Sequence, residues 1–210
     1  MINNMSFMPV YLGFNGMSIA LTDFYYRHLS QPNVFNSLIS LCVSDKFAFD
    51  NGLWLSSHLS TFINLRYLSL FDIKRSTFEL ILNLLSPMNS LKRFSVNFSE
   101  TDRAYYTFCD VPEGVYYERI FRLFPSLHVC HLLLRHFMGD TIDNAFALPS
   151  DKPFLPIQTY LPKLKSLTIE CSIYFLSHLI EHLPQLEQLN YQHTDLWLPQ
   201  EHPLRNDNNL

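Results

Sequence analysis

Apolar residues return along this chain in one spacing. Leu65, Leu68 and Leu70 form an L-x-x-L-x-L pattern. It recurs as Leu38, Leu41, Val43; Leu91, Phe94, Val96; Leu127, Cys130, Leu132; Leu164, Leu167, Ile169; and Leu186, Leu189, Tyr191. The first positions, 38, 65, 91, 127, 164 and 186, stand 27, 26, 36, 37 and 22 residues apart. The last two positions of each copy are two apart, so on a strand they point to one side. The first enters that side from the preceding loop. One such strand cannot bury its apolar face alone, whereas stacked copies can, as a parallel ladder over a shared core. Isolated matches arise by chance in a chain that is 48% hydrophobic. A shared flank argues against chance: Pro125, Pro162 and Pro184 lie two residues before the first Leu, and Pro87 lies four before Leu91. Proline ends a helix and admits an extended chain. Each unit therefore reads helix, proline stop, strand.

The stretches between the motifs fill in the rest. Val10 to Phe14 alternates ahead of an Asn15-Gly16 turn signal and predicts an incomplete first strand. A helix follows over Leu21 to Leu29, with Thr22 and Asp23 near its start, Phe24, Tyr25 and Leu29 on one face, and Pro32 ending it. Phe47 to Gly52 reads as a loop, and Leu53 to Phe62 as a helix. Ser76 to Leu85 is the cleanest amphipathic helix, with Phe78, Ile81, Leu82 and Leu85 on one face and Ser76 or Thr77 as cap. Asn97 to Pro112 and Arg135 to about Pro156 read as insertion loops. Between them Glu113 to Phe124 predicts a helix with Val115, Tyr116, Ile120, Phe121 and Phe124 inward. Ile173 to Leu183 is the last helix, with Ile173, Leu176, Ile180 and Leu183 inward. Leu196 to Pro199 is expected to cap the final repeat, since open solenoid ends need covering.

With these motifs the chain resembles the leucine-rich repeat superfamily. The repeat lengths are nearest the long, helix-containing class of ribonuclease-inhibitor-like and F-box-associated proteins. The resemblance covers roughly Tyr11 to Tyr191. It implies an α/β solenoid with parallel strands on the concave side and helices on the convex side. The expected organisation is a single domain over residues 1–200, of about six degenerate repeats plus the incomplete N-terminal strand unit, and a disordered tail over 201–210. The family's asparagine, three residues past the last strand Leu, would fall at Lys46, Ile73, Ser99, Arg135, Ser172 and Thr194. None is Asn, which favours looser repeats with helical convex sides. The resemblance further implies a protein-protein interaction module, the substrate-recognition part of a ubiquitin-ligase adaptor, with a cullin-adaptor complex among its partners. Ahead of the repeats no F-box is recognisable; Met8-Pro9-Val10 is too slight a match.

Composition narrows the partner. Fifteen basic against nineteen acidic residues give a net charge of −4. There is no basic stripe, so neither DNA nor RNA is an expected partner. Asp23, Arg27, Asp45, Lys46 and Asp50 are the only charged side chains before Arg66. That low density implies deep burial of the N-terminal third, or a surface that another segment or chain covers. Cys42, Cys109, Cys130 and Cys171 form no C-x-x-C pair and read as reduced, as in the cytoplasm or nucleus. Residues 1–22 carry no charge, yet Asn3, Asn4, Pro9, Gly13, Asn15 and Gly16 interrupt them and no basic residue precedes them. Neither a signal peptide nor a membrane span fits, and no membrane partner is expected.

Candidate chemistry is thin. His178-Leu179-Ile180-Glu181-His182 matches H-x-x-E-H, a zinc-protease signature in which two His one turn apart bind the metal and the Glu acts as base. The alternative function is therefore a zinc-dependent hydrolase, its third ligand drawn from residues downstream. The competing explanation is a repeat helix with polar residues on its wet side. His128, Cys130, His131 and His136 form a second cluster, but His128 and Cys130 share one side of a strand and His131 takes the other. Five glycines in total, and no Gly-rich phosphate loop, leave no coherent active site. No catalysis, cofactor or metal is therefore expected. The remaining surface is the concave face. Its residues flank the strand leucines: Tyr67, Ser69 and Phe71; Arg93, Ser95 and Asn97; His131 and Leu133; Thr168 and Glu170; Gln188 and Asn190. Aromatics and Arg are the types enriched at interface hot spots.

Overall fold

Five strands start from the same turn. The amide of the first motif leucine donates to the carbonyl three residues back: Leu65 to Phe62 at 3.0 Å, Leu91 to Met88, Leu127 to Phe124 and Leu164 to Leu161 at 3.3 Å, and Leu186 to Leu183 at 3.2 Å. Pro125, Pro162 and Pro184 hold the second place of this turn. The ring's fixed φ suits that position, and its missing N–H is not needed there. These prolines thus shape the turn itself. The turn's first residue is apolar and buried each time, so the repeat's apolar pattern begins three residues earlier than L-x-x-L-x-L.

A second contact also repeats. The carbonyl of Ile39 accepts the amides of both Arg66 and Tyr67, and that of Arg66 accepts Lys92 and Arg93. Lys92 does the same for His128 and Val129, His128 for Lys165 and Ser166, and Lys165 for Glu187 and Gln188, all at 2.8–3.1 Å. These forks set the register of the sheet. The computed structural model describes residues 10–12, 18–45, 51–84, 88–98, 114–134, 157–171 and 173–193. The strands are β1 (Val10–Leu12), β2 (Ser40–Ser44), β3 (Tyr67–Ile73), β4 (Arg93–Phe98), β5 (Val129–Leu133), β6 (Ser166–Cys171) and β7 (Gln188–His193). They form one parallel sheet in chain order. Leu41, Leu68, Phe94, Cys130, Leu167 and Leu189 stack in one row, and Val43, Leu70, Val96, Leu132, Ile169 and Tyr191 in the next. The rows are buried up to β6. On β7, the last strand, Leu189 is 42% exposed.

The helices are α1 (Ile19–Leu29), α2 (Pro32–Phe35), α3 (Asn51–His58), α4 (Arg75–Leu84), α5 (Val115–Leu123) and α6 (Ile173–Ile180). A single 3₁₀ turn, Leu59–Thr61, extends α3. Leu55, Phe78, Ile81, Leu82, Tyr116, Ile120, Phe121, Phe175 and Leu179 join the strand rows in one continuous core. The molecule is thus a mixed α/β fold with a single open parallel sheet. Among the described residues no helix is long and apolar enough to cross a membrane.

Several boundaries differ from expectation, each for a local reason. The cap of α1 is Ser18, whose hydroxyl accepts the Leu21 amide at 3.2 Å; Thr22 is buried one turn in, and Phe24 lies exposed against the His28 ring. Pro32 does not end that helix but opens the short α2, where a first-turn proline costs no hydrogen bond. Asn51 and Gly52 belong to α3 rather than to a loop. The Asn51 side chain donates to Ser44 O at 2.6 Å and accepts from Tyr26, and the Gly52 amide donates to Asp45 at 3.0 Å. Helix α4 starts at Arg75, so Ser76 and Thr77 lie inside it and cap nothing. Asn97 lies in β4, not in an insertion. Gly114 at φ 101° precedes α5, a left-handed conformation that suits glycine. In α6 the inward residues are Phe175, Leu176 and Leu179, whereas Ile173 and Ile180 are exposed. That helix is apolar nearly all round, so spacing alone does not choose its face. The remainder of both insertions (99–113 and 135–156), Leu85, the cap at 196–199 and the tail at 201–210 lie outside the described residues.

Candidate functional site

The register lines the other side of the sheet with three rows. The first is Ser40, Tyr67, Arg93, Val129, Ser166, Gln188. The second is Cys42, Ser69, Ser95, His131, Thr168, Asn190. In the third, Ser44, Phe71, Asn97 and Leu133 pair in turn, and Glu170 pairs with Gln192. All twelve residues expected on the binding face stand in these rows. They are not equally open. Tyr67 is 42% and Phe71 38% exposed, and Arg93, Gln188 and Asn190 are exposed. Ser69, Asn97, His131, Leu133, Thr168 and Glu170 are half-buried, and Ser95 is buried between its neighbours. The open part of the face is therefore β3 and β4 on one side and β7 on the other.

Electrostatics follow from this packing. Burial, together with the Arg93 charge, holds the His131 imidazole below its ordinary value, so it favours the neutral form. Burial pushes the Cys42 thiol up to about 11, despite its hydrogen bond with Ser69. Cys130, fully buried on the core side, is pushed up further. Neither thiol has the thiolate character of a nucleophile.

Strand β3 carries a bulge that alternation did not predict. Asp72 sits at φ 50°, and the register slips between Phe71 and Ile73. Without it Ile73 would share the outward side with Phe71. With it Ile73 turns into the core and pairs with Phe98, leaving Phe71 as the last outward residue of its strand.

Sequence reasoning missed a row at the strands' N-terminal rim. The forked hydrogen bonds put Ile39, Arg66, Lys92, His128, Lys165 and Glu187 side by side. These are the second positions of the six motifs, and four of them are Arg, Lys or His. Reading that position down the repeats, rather than only the leucines, would have found the row. Lys165 is neutralised by Glu187 at 2.6 Å, and His128 Nδ1 lies 2.9 Å from Ser126 O. Arg66, Lys92 and the adjoining Arg93 have no carboxylate within ion-pair distance among the described residues.

The histidine motif lies apart from this face. His178 and His182 have ring centroids 4.9 Å apart. The His178 Nε2 accepts the Ile157 amide at 3.0 Å, and His182 Nδ1 lies 3.2 Å from His178 O. Glu181 is exposed in the turn after α6. His128, Cys130 and His131 point to the rim, the core and the outward face respectively; His136 lies outside the described residues. Among the described residues no group of three or more His, Cys, Asp or Glu could hold a metal ion. No family model, curated protein or solved structure matches the chain.

Proposed function

We propose that this chain is a leucine-rich-repeat solenoid, its strands concave and its helices convex, whose outward sheet face docks another protein. The observation that supports it most is the β3–β4 surface. There Tyr67 stands open opposite Arg93 and Phe71 stands open further along the same strand, opposite Asn97, over strands whose other side is buried. A platform tied down by strand pairing on both sides presents such side chains from a backbone with little entropy left to lose on binding. Exposed aromatics beside Arg are the types that dominate interface energetics. The resemblance carries the reading to the substrate-recognition part of a ubiquitin-ligase adaptor in the cytoplasm or nucleus.

The test is recovery of partners from a lysate with the tagged wild type and with Tyr67→Ala/Phe71→Ala/Arg93→Ala. Hot-spot truncations cost about 2 kcal/mol or more each, so a partner held on this face drops out with the triple variant. A cullin-adaptor protein recovered by both supports the ligase reading. The same full set of partners recovered with both proteins overturns the docking face.

A further inference from the structure

The rim row gives the docking face a chemical preference. Arg66, Lys92 and Arg93 are drawn together by one fork, in which the Arg66 carbonyl accepts the Lys92 amide at 2.8 Å and the Arg93 amide at 3.0 Å. Arg66 and Arg93 are exposed and Lys92 half-buried. No carboxylate among the described residues lies within ion-pair distance of any of the three. Three cations at the starts of two neighbouring strands, with no ion-pair partner among the described residues, are conspicuous in a chain of net charge −4. Tyr67, opposite Arg93 in the register and itself exposed, adds an aromatic shelf beside them.

We infer that this corner of the sheet takes an acidic segment of the partner protein, with carboxylate side chains on Arg66, Lys92 and Arg93 and an apolar residue on Tyr67. The inference rests on the protein-docking reading above. The spacing fits: neighbouring strands lie about 4.8 Å apart, and an extended chain rises about 3.3 Å per residue. A segment crossing from β3 to β4 therefore passes from Arg66 to the Lys92–Arg93 pair within one to two residues. A nucleic-acid backbone fits less well, because the positive run is short. Beyond Lys92 the row continues with His128, and Lys165 is already paired with Glu187. A phosphate backbone calls for a longer basic track.

The experiment is a selection of displayed random peptides on the full chain, followed by affinity measurements on the enriched peptides. The expected result is an excess of Asp and Glu within a short window next to an apolar residue. Arg66→Gln/Lys92→Gln/Arg93→Gln then weakens binding roughly tenfold, the product of three surface ion pairs of usual strength. Replacing Glu by Gln in the peptide does the same without touching the protein. Lys163→Gln, an exposed cation in the turn before β6, leaves binding unchanged. Enriched peptides with no acidic excess, lost on Tyr67→Ala/Phe71→Ala but indifferent to the triple Gln variant, overturn the acidic preference and leave the docking face standing. Peptides indifferent to both variants, or no enrichment, overturn both. A short single-stranded RNA that binds tighter than the peptides, and is lost in the triple Gln variant, reassigns the rim to phosphate.

Discussion

Glu118 on α5 fastens the segment at residues 157–159. It is 5% exposed, yet every lone-pair direction it offers is used. Oε2 accepts the amides of Gln158 and Thr159 at 3.0 Å each. Oε1 accepts the Thr159 hydroxyl at 2.8 Å and the Arg122 guanidinium at 3.0 Å. Glu118→Ala leaves three donors of the 157–159 segment without their acceptor. Hydrogen bonds to a charged group are worth about 1.5–3 kcal/mol each. Taking two at the lower figure, since the donors are only part-buried, gives a loss of about 3 kcal/mol. Glu118→Gln keeps one good acceptor and is expected to cost about half as much. Arg122→Ala is expected to cost under about 1 kcal/mol, because that side chain is 69% exposed. Burial pushes the Glu118 carboxyl up, but the bonds from Thr159, Gln158 and Arg122 outweigh it and hold the group below its ordinary 4.5. A depressed folded value stabilises fully above the unfolded one and is lost as pH falls through the folded one. The wild-type advantage over Glu118→Gln is therefore constant from neutral pH down to about 4.5 and shrinks below it. Urea unfolding gives these differences directly. A Glu118→Ala variant within 1 kcal/mol of wild type at unchanged slope refutes the clamp.

Three further outcomes are expected. Leu164→Ala removes a fully buried motif leucine and costs about 2–5 kcal/mol, whereas Leu189→Ala on the last strand costs under about 1 kcal/mol; equal losses in urea unfolding contradict the burial gradient. Gly52→Ala puts a Cβ 2.5 Å from the Thr77 methyl and 3.1 Å from Asp45, costing about 1–3 kcal/mol; Thr77→Ser, which deletes that methyl, recovers part of the loss in a thermal melt of the double variant. His131 titrates below 6.5 by NMR, and Arg93→Gln raises it part-way, because burial remains as the larger cause. As pH falls from 6.5 the unfolded chain takes up that proton first, so stability declines until the folded value is passed. A His131 titration that ignores Arg93→Gln shows that the two side chains do not face each other.

The sheet was legible because its information is local. The two strand positions of each motif must share a side, and stacking is the way several such strands bury that side. Hence Leu68 and Leu70 pair with Phe94 and Val96 in the order the spacing implies. The twelve outward residues follow from the same parity. Helix faces were legible where polar residues interrupt the pattern, as in α4, where Phe78, Ile81 and Leu82 are all buried.

What alternation could not reach depends on contacts between distant residues. The start of α3 is settled by Asn51 and Gly52 bonding back to Ser44 and Asp45. The face of α6 is settled by Phe175 stacking on Tyr117 of α5, with ring centroids 4.9 Å apart. Ile73 enters the core only because a bulge at Asp72 reverses its parity. Glu118 gains its role from partners about forty residues away. By itself the sequence determined which motif positions of the strands point inward and the order in which the strands stack, since both are consequences of burying apolar positions at a fixed period. Only the tertiary structure decided which helix faces and loop ends are held. Those depend on hydrogen bonds and packing between units, and no spacing within a single unit encodes them.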